Sequence, residues 1–199
     1  MALRTLAPPA GTLQAIGRRL ARLAEHEGLR LPGLSSAAAL RLAAPHPVFN
    51  LAQARVGAPH GQEYATLTGW RFFLVTPGEA IGSVEAEART RFDRPRFARI
   101  SAGPMVRCAA RGLALAERWP AVRAGDYVLG MLRLPPLHVH ALWLRDGRGR
   151  PARDLFIPLE PGPSTLAPGR IMDCAEFMGA LGAARDAAGP RANLLVRPA

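Results

Sequence analysis

The run LPPLHVHALWL, residues 134–144, is the tightest constraint this chain places on its own folding. Read as a β-strand, it puts His138, His140, Leu142 and Leu144 on one side and Leu137, Val139, Ala141 and Trp143 on the other, because side chains two apart share a face. Both faces are almost wholly apolar. A strand of that kind must be covered front and back: by helices on one side, and by an irregular segment, a ligand or a second subunit on the other. The sequence therefore predicts a layered domain with this strand inside it.

The flanking segments supply the other layers. DYVLGMLRL before the run and DLFIPLEP after it read as two more strands, the latter joined to it around the glycines of DGRGRP. Upstream, GWRFFLVTPGEAIGSVEAEA reads as a β-hairpin, since TPGE carries Pro and Gly at the second and third positions of a type II turn. In its second strand Val84, Ala86 and Ala88 alternate with Glu85, Glu87 and Arg89, the pattern of a sheet with one dry and one wet face. Three amphipathic helices are expected. The first runs from Thr12, as N-cap, to Gly28; the second opens at Ser101 and Pro104, buries Met105, Cys108, Ala109, Gly112, Leu113 and Ala116, and closes at Trp119-Pro120. The third starts at Asp173, with Glu176 three residues on as in a capping box, and stops before Gly189-Pro190. Residues 29–68, broken by Pro32, Pro45, Pro47, Pro59 and several glycines, read as an irregular arm, with VFNLA at most an edge strand. Together these give an α+β class: a mostly antiparallel sheet of about five strands, helices mainly on one face, and one domain spanning 1–199.

Charge sets the range of partners. Of 199 residues, 26 are basic and 15 acidic, a formal charge of +11, and every basic residue is arginine. Abundant Ala, Gly and Pro point to GC-rich coding, which explains arginine in place of lysine but not the shortage of acids. The excess positive charge bears on solubility and on anionic partners. The N-terminus has no continuous apolar h-region and no stretch is long enough to cross a membrane, so a cytoplasmic protein that does not engage the membrane is expected. Cys108 and Cys174, both in predicted helices with no CxxC spacing, are expected to be reduced and buried.

Several positions carry candidate chemistry. His138 and His140 could offer two imidazoles to a metal with Glu85 or Glu87 completing the set, but HxH alone is a weak pattern and the other histidines, His26, His46 and His60, lie in no ligand-like spacing. Neutral histidines lining a pocket with Trp143, Glu85 and Glu87 are the simpler expectation, with no metal and no cofactor. Glu85 and Glu87 as an acid–base pair compete with a solvated strand face, which alternating alanine and charge ordinarily marks. No nucleophile elbow, activated cysteine or Gly-rich phosphate loop is found, which leans away from an enzyme. The connector ARTRFDRPRFARIS carries Arg89, Arg91, Arg94, Arg96 and Arg99 against one Asp93, with Phe92 and Phe97 between them; arginine forks of this kind bind phosphates or carboxylates. The leading expectation is a non-catalytic binding or adaptor domain that engages a protein partner or itself through its sheet. The alternative is a binder of nucleic acid or another polyanion through the Arg89–Arg99 connector.

Overall fold

A computed structural model describes residues 3–23, 40–58, 60–77, 79–87 and 95–189. Among these residues the chain forms one eight-stranded sheet and four helices. The strands are β1 (Arg41–Asn50), β2 (Thr66–Thr76), β3 (Glu79–Glu87), β4 (Arg96–Ser101), β5 (Tyr127–Leu134), β6 (Val139–Asp146), β7 (Leu155–Pro158) and β8 (Met172–Asp173), and the helices are α1 (Thr12–Arg22), α2 (Pro104–Arg118), α3 (Pro120–Ala124) and α4 (Cys174–Ala188). The strand order is β4-β3-β2-β1-β5-β6-β7-β8. Every neighbouring pair is antiparallel except β1 with β5. The α+β class stands; the sheet is mixed and larger than the five strands expected.

β1 accounts for much of that difference. Residues 41–50 belong to the stretch read as an arm wrapping the outside, yet they run through the middle of the sheet. Pro45 and Pro47 concealed them, because proline donates nothing to a ladder and is normally kept to edges. The structure accommodates both prolines locally. β1 pairs with β2 along its length but meets β5 only where Val48–Asn50 lie beside Met131–Arg133. The register breaks between Ala43 and His46, with Ala44 in the left-handed region at φ 46°. Beyond the reach of β1, the free edge of β5 is taken by the N-terminal segment: Arg4 N–H donates to Tyr127 O and Leu129 N–H to Arg4 O, both at 2.8 Å. Elsewhere in the expected arm, Gln53–Arg55 and Gly61–Tyr64 are short 3₁₀ turns.

Helices cover both faces, not mainly one. On one face α2 and α3 bury Val106, Ala109, Ala116 and Val122 against Phe73, Leu129, Met131, Leu142, Leu144 and Ile157. On the other, α4 covers the β5–β8 half, where Phe177 stacks on Phe156 with ring centroids 4.2 Å apart, and Ile16 of α1 covers the β2–β3 half with Trp70, Phe72, Leu74 and Val84. β6 is therefore the doubly covered strand that its sequence predicts, with Ala141 and Trp143 under α4 and Leu142 and Leu144 under α2. Gly112 lets α2 sit close: a Cβ there would lie 3.2 Å from Ile157 Cγ2 and 3.3 Å from Leu142 Cδ1.

Two terminus assignments shift. Thr12 is the first helical residue and is buried, its hydroxyl donating to Pro9 O at 2.6 Å, while Gly11 occupies the position before it. Gly28 lies outside the described residues. Ser101 ends β4, and Gly103, at φ 100°, precedes Pro104 at the start of α2. The third helix begins as predicted, with the Asp173 carboxylate accepting from Glu176 N–H at 2.9 Å.

Candidate anion-binding site

Strand register places two lines of polar side chains on an otherwise apolar sheet face, offset by the four residues of β1 between His46 and Asn50 and joined where Arg133 reaches Glu85. His46 of β1 lies opposite Arg71 of β2, Arg71 opposite Glu85 of β3, and Glu85 opposite Arg99 of β4. On the other flank of β1, Asn50 lies beside Arg133 of β5, and Arg133 opposite His140 of β6. Seven polar or charged side chains from six strands thus share the α2 side of the sheet.

Glu85 holds them together. Its Oε1 accepts from Arg71 Nη1 at 3.0 Å, from Arg99 Nη2 at 3.5 Å and from Arg133 Nη2, while Oε2 accepts from Arg99 Nε at 3.1 Å. One carboxylate therefore serves three guanidinium groups, of which Arg71 is fully buried, Arg133 nearly so and Arg99 half exposed. Burial works to raise the Glu85 carboxyl, but the hydrogen bond and charge of Arg133, with Arg71 and Arg99 behind it, hold it below its ordinary value. Burial brings Arg71 down to about 10, which leaves it charged at neutral pH. The histidines answer the same field. Burial, opposed by a bond to Ala44 O and assisted by Arg71, lowers His46 to about 4, and burial with Arg133 lowers His140 to about 4. His46 Nδ1 donates to Ala44 O at 2.7 Å, which fixes the neutral tautomer with Nε2 unprotonated.

Three arginines and one glutamate leave a net charge of +2 with donors to spare. Arg71 Nε and Nη2 and Arg133 Nε are buried without a hydrogen-bond partner among the described residues, as are His46 Nε2, His140 Nδ1, Ser83 Oγ and Asn50 Oδ1. Buried polar atoms are ordinarily satisfied, so this concentration on one face is unusual. The row ends in a cleft of about 340 Å³ lined by Glu85, Glu87, Arg99, Arg133, Asn50 and Gly69, among others. Gly69 is obligatory there, because a Cβ would fall 2.4 Å from Ala86 O.

The residues singled out from sequence are distributed unevenly. Glu85, Glu87 and Arg99 line this cleft and His140 extends the row behind it. Glu85 is not the solvated strand residue its alternation suggested: it is buried, while Glu87 is exposed. Arg96 and Arg99 lie on edge strand β4 instead of in a connector, and Arg89, Arg91 and Arg94 lie outside the described residues. His138 is separated from His140. It caps the 3₁₀ turn Pro135–Leu137 at φ 53° and is exposed, with the strand starting only at Val139, so the two imidazoles do not share a face. The oxygens of Glu85 are taken by arginines, and no group of three metal-ligating side chains occurs among the described residues. Trp143 belongs to a different recess of about 180 Å³, where its Nε1 donates to buried Asp154 at 2.9 Å and Arg145 lies over its ring at 4.9 Å. Cys108 and Cys174 are both free and buried.

His46, Arg71, Arg133, Asn50 and Ser83 went unmarked in the sequence. A signal was present: GWRFFLV and LGMLRL each place one arginine inside an apolar strand, and a lone charge there must be paired or functional. Of the two surfaces through which a protein partner was expected to be engaged, the sheet edge and the HVHALWL strand, the strand is covered on both faces by the chain's own α2 and α4. No helix among the described residues is long and apolar enough to cross a membrane. No protein-family model, curated protein or solved structure matches the chain.

Proposed function

We propose that the protein is a non-catalytic binding domain for a small anionic ligand, held where the arginine row opens at Arg99 and Arg133. The observation that carries this reading is the sharing of one buried carboxylate among three guanidinium groups, with unpaired guanidinium donors left beside an open cleft. Arginine forks suit carboxylate and phosphate groups, and a low-dielectric wall strengthens them. The arrangement favours binding over proton transfer: Glu85 is held ionised by its three partners and the flanking histidines are held neutral. A recessed cleft of about 340 Å³ fits a small molecule better than a polymer tracked along a surface.

Calorimetric titration of the full chain with inorganic phosphate and with propionate, at low ionic strength, tests the proposal. Saturable binding of at least one anion with a single-site stoichiometry is expected, weakened about tenfold in Arg99→Ala, which removes a charge-assisted donor from a half-exposed position. Heats that do not saturate for either anion, or an affinity unchanged in Arg99→Ala, would contradict it.

A further inference from the structure

The cleft that opens beside the arginines is not uniformly positive. One step further along the strands from the row His46–Arg71–Glu85, the next pairs on the same face are Val48 with Gly69 and Gly69 with Glu87. Glu87 is exposed, lines the cleft and makes no ion pair among the described residues. Across the cleft, Asn50 Oδ1 is a buried acceptor with no partner. So the mouth offers guanidinium donors from Arg99 and Arg133 together with two unengaged oxygen acceptors, Asn50 beside Arg133 and Glu87 two residues along β3 from Glu85.

Residues two apart on a strand are separated by about 7 Å, which sets Glu87 that far along β3 from Glu85, while Asn50 lies in register with Arg133. Donors and acceptors lining one small cleft suit a ligand whose positive and negative groups are only a few ångströms apart. In an α-amino acid the ammonium nitrogen and a carboxylate oxygen stand about 3 Å apart, as standard bond lengths require. A purely anionic ligand would satisfy the arginines, leave Asn50 unpaired and bring its charge against Glu87.

We infer that the cleft takes a small zwitterion of the amino-acid class, its carboxylate against Arg99 and Arg133 and its ammonium group against Glu87 and Asn50. This rests on the anion-binding reading and narrows it. A site with unpaired buried acceptors rejects analogues that lack the matching donor, so the ammonium group sets the selectivity.

The test is calorimetric titration of the full chain with each of the twenty common α-amino acids, with propionate and glutarate as counterparts of alanine and glutamate lacking the ammonium group. At least one amino acid should bind, and alanine or glutamate should bind about tenfold or more tighter than its counterpart. In Glu87→Gln, a change at an exposed position whose folding is checked by the melting temperature, that preference should disappear. Counterparts that bind as well as their amino acids, or a preference that survives Glu87→Gln, would overturn the zwitterion while leaving anion binding in place. If no amino acid and neither acid binds, both readings fall together.

Discussion

Replacing Glu85 by glutamine asks more of the fold than its place in an alternating EAE sequence suggests. The substitution keeps the shape but removes the charge, leaving Arg71 and Arg133 buried beside one another without an anion. Breaking a buried pair in this way costs about 3–5 kcal/mol. Chemical denaturation should show a loss of that order for Glu85→Gln and less than about 1 kcal/mol for Glu87→Gln, whose side chain is exposed. Equal, small effects would mean Glu85 is solvated. Acid should act through the same residues. His46 titrates at about 4 in the folded chain against 6.5 for an ordinary histidine, so above pH 6.5 it is neutral in both states and contributes no pH dependence. As the pH falls from 6.5 towards 4 the unfolded chain takes up a proton that the folded chain refuses, and stability falls. The gap corresponds to on the order of 3 kcal/mol for this fully buried imidazole. Glu85, held below its ordinary value, adds a further loss only at pH lower than about 4.5. Urea denaturation at pH 7, 5.5 and 4.5 checks the first window. His46→Asn should reduce the decline, leaving the part that His140, lowered to about 4 in the same way, contributes, and a wild-type profile level between pH 6.5 and 4.5 would contradict the burial of both imidazoles.

Elements were legible where hydrophobic period and end signals agreed. α4 announced itself through Asp173 and Glu176 and through Phe177 and Leu181, and the cap and the buried face appear as expected. The T-P-G-E hairpin and the strands β5, β6 and β7 were equally plain, since their apolar runs and glycine turns have few other uses. β1 was hidden because proline ordinarily argues against a central strand, and only a break in register at Ala44, with a short parallel pairing to β5, makes it possible. β4 was hidden by its arginines, which look like a loop but belong on an edge strand, where charge discourages pairing with other chains. The site was half legible. Glu85, Glu87, Arg99 and His140 could be picked out by type, but their partners Arg71, Arg133 and His46 come from strands far apart in sequence, and register alone brings them together. Helix packing offers its own check. Gly112→Val would push a branched side chain into Ile157 and Leu142, which already stand 3.2 and 3.3 Å from where a Cβ would lie. Overpacking of this kind costs about 1–3 kcal/mol, and a melting temperature at or above the parent's would contradict the close seating of α2.

In the molecule as a whole, the +11 charge turns out to be two different things. Part of it is ordinary surface arginine, which salt screens. Another part is committed to a row buried in the sheet, where Arg71 and Arg133 meet Glu85 away from water and screening is weak. Composition alone suggested a polyanion partner because it counts all arginines alike, whereas the small-ligand reading proposed above concerns only Arg71, Arg99 and Arg133, which meet at Glu85 beside one cleft. The two halves of the sheet have separate covers, α1 on one and α4 on the other, and the polar row crosses both on the opposite side. It follows that occupancy of the cleft should stiffen the junction of β1 with β5, where the pairing is shortest. Arginine side-chain N–H resonances resolve this binding group by group. Titrating the full chain with the tightest-binding small anion or amino acid, while following the Nε–H signals of Arg99, Arg133 and exposed Arg118, should move the first two along one saturation curve and leave Arg118 in place. Signals of all three that drift together without saturating, or that do not move, would show the arginine row to be a structural ion-pair network and not a binding site.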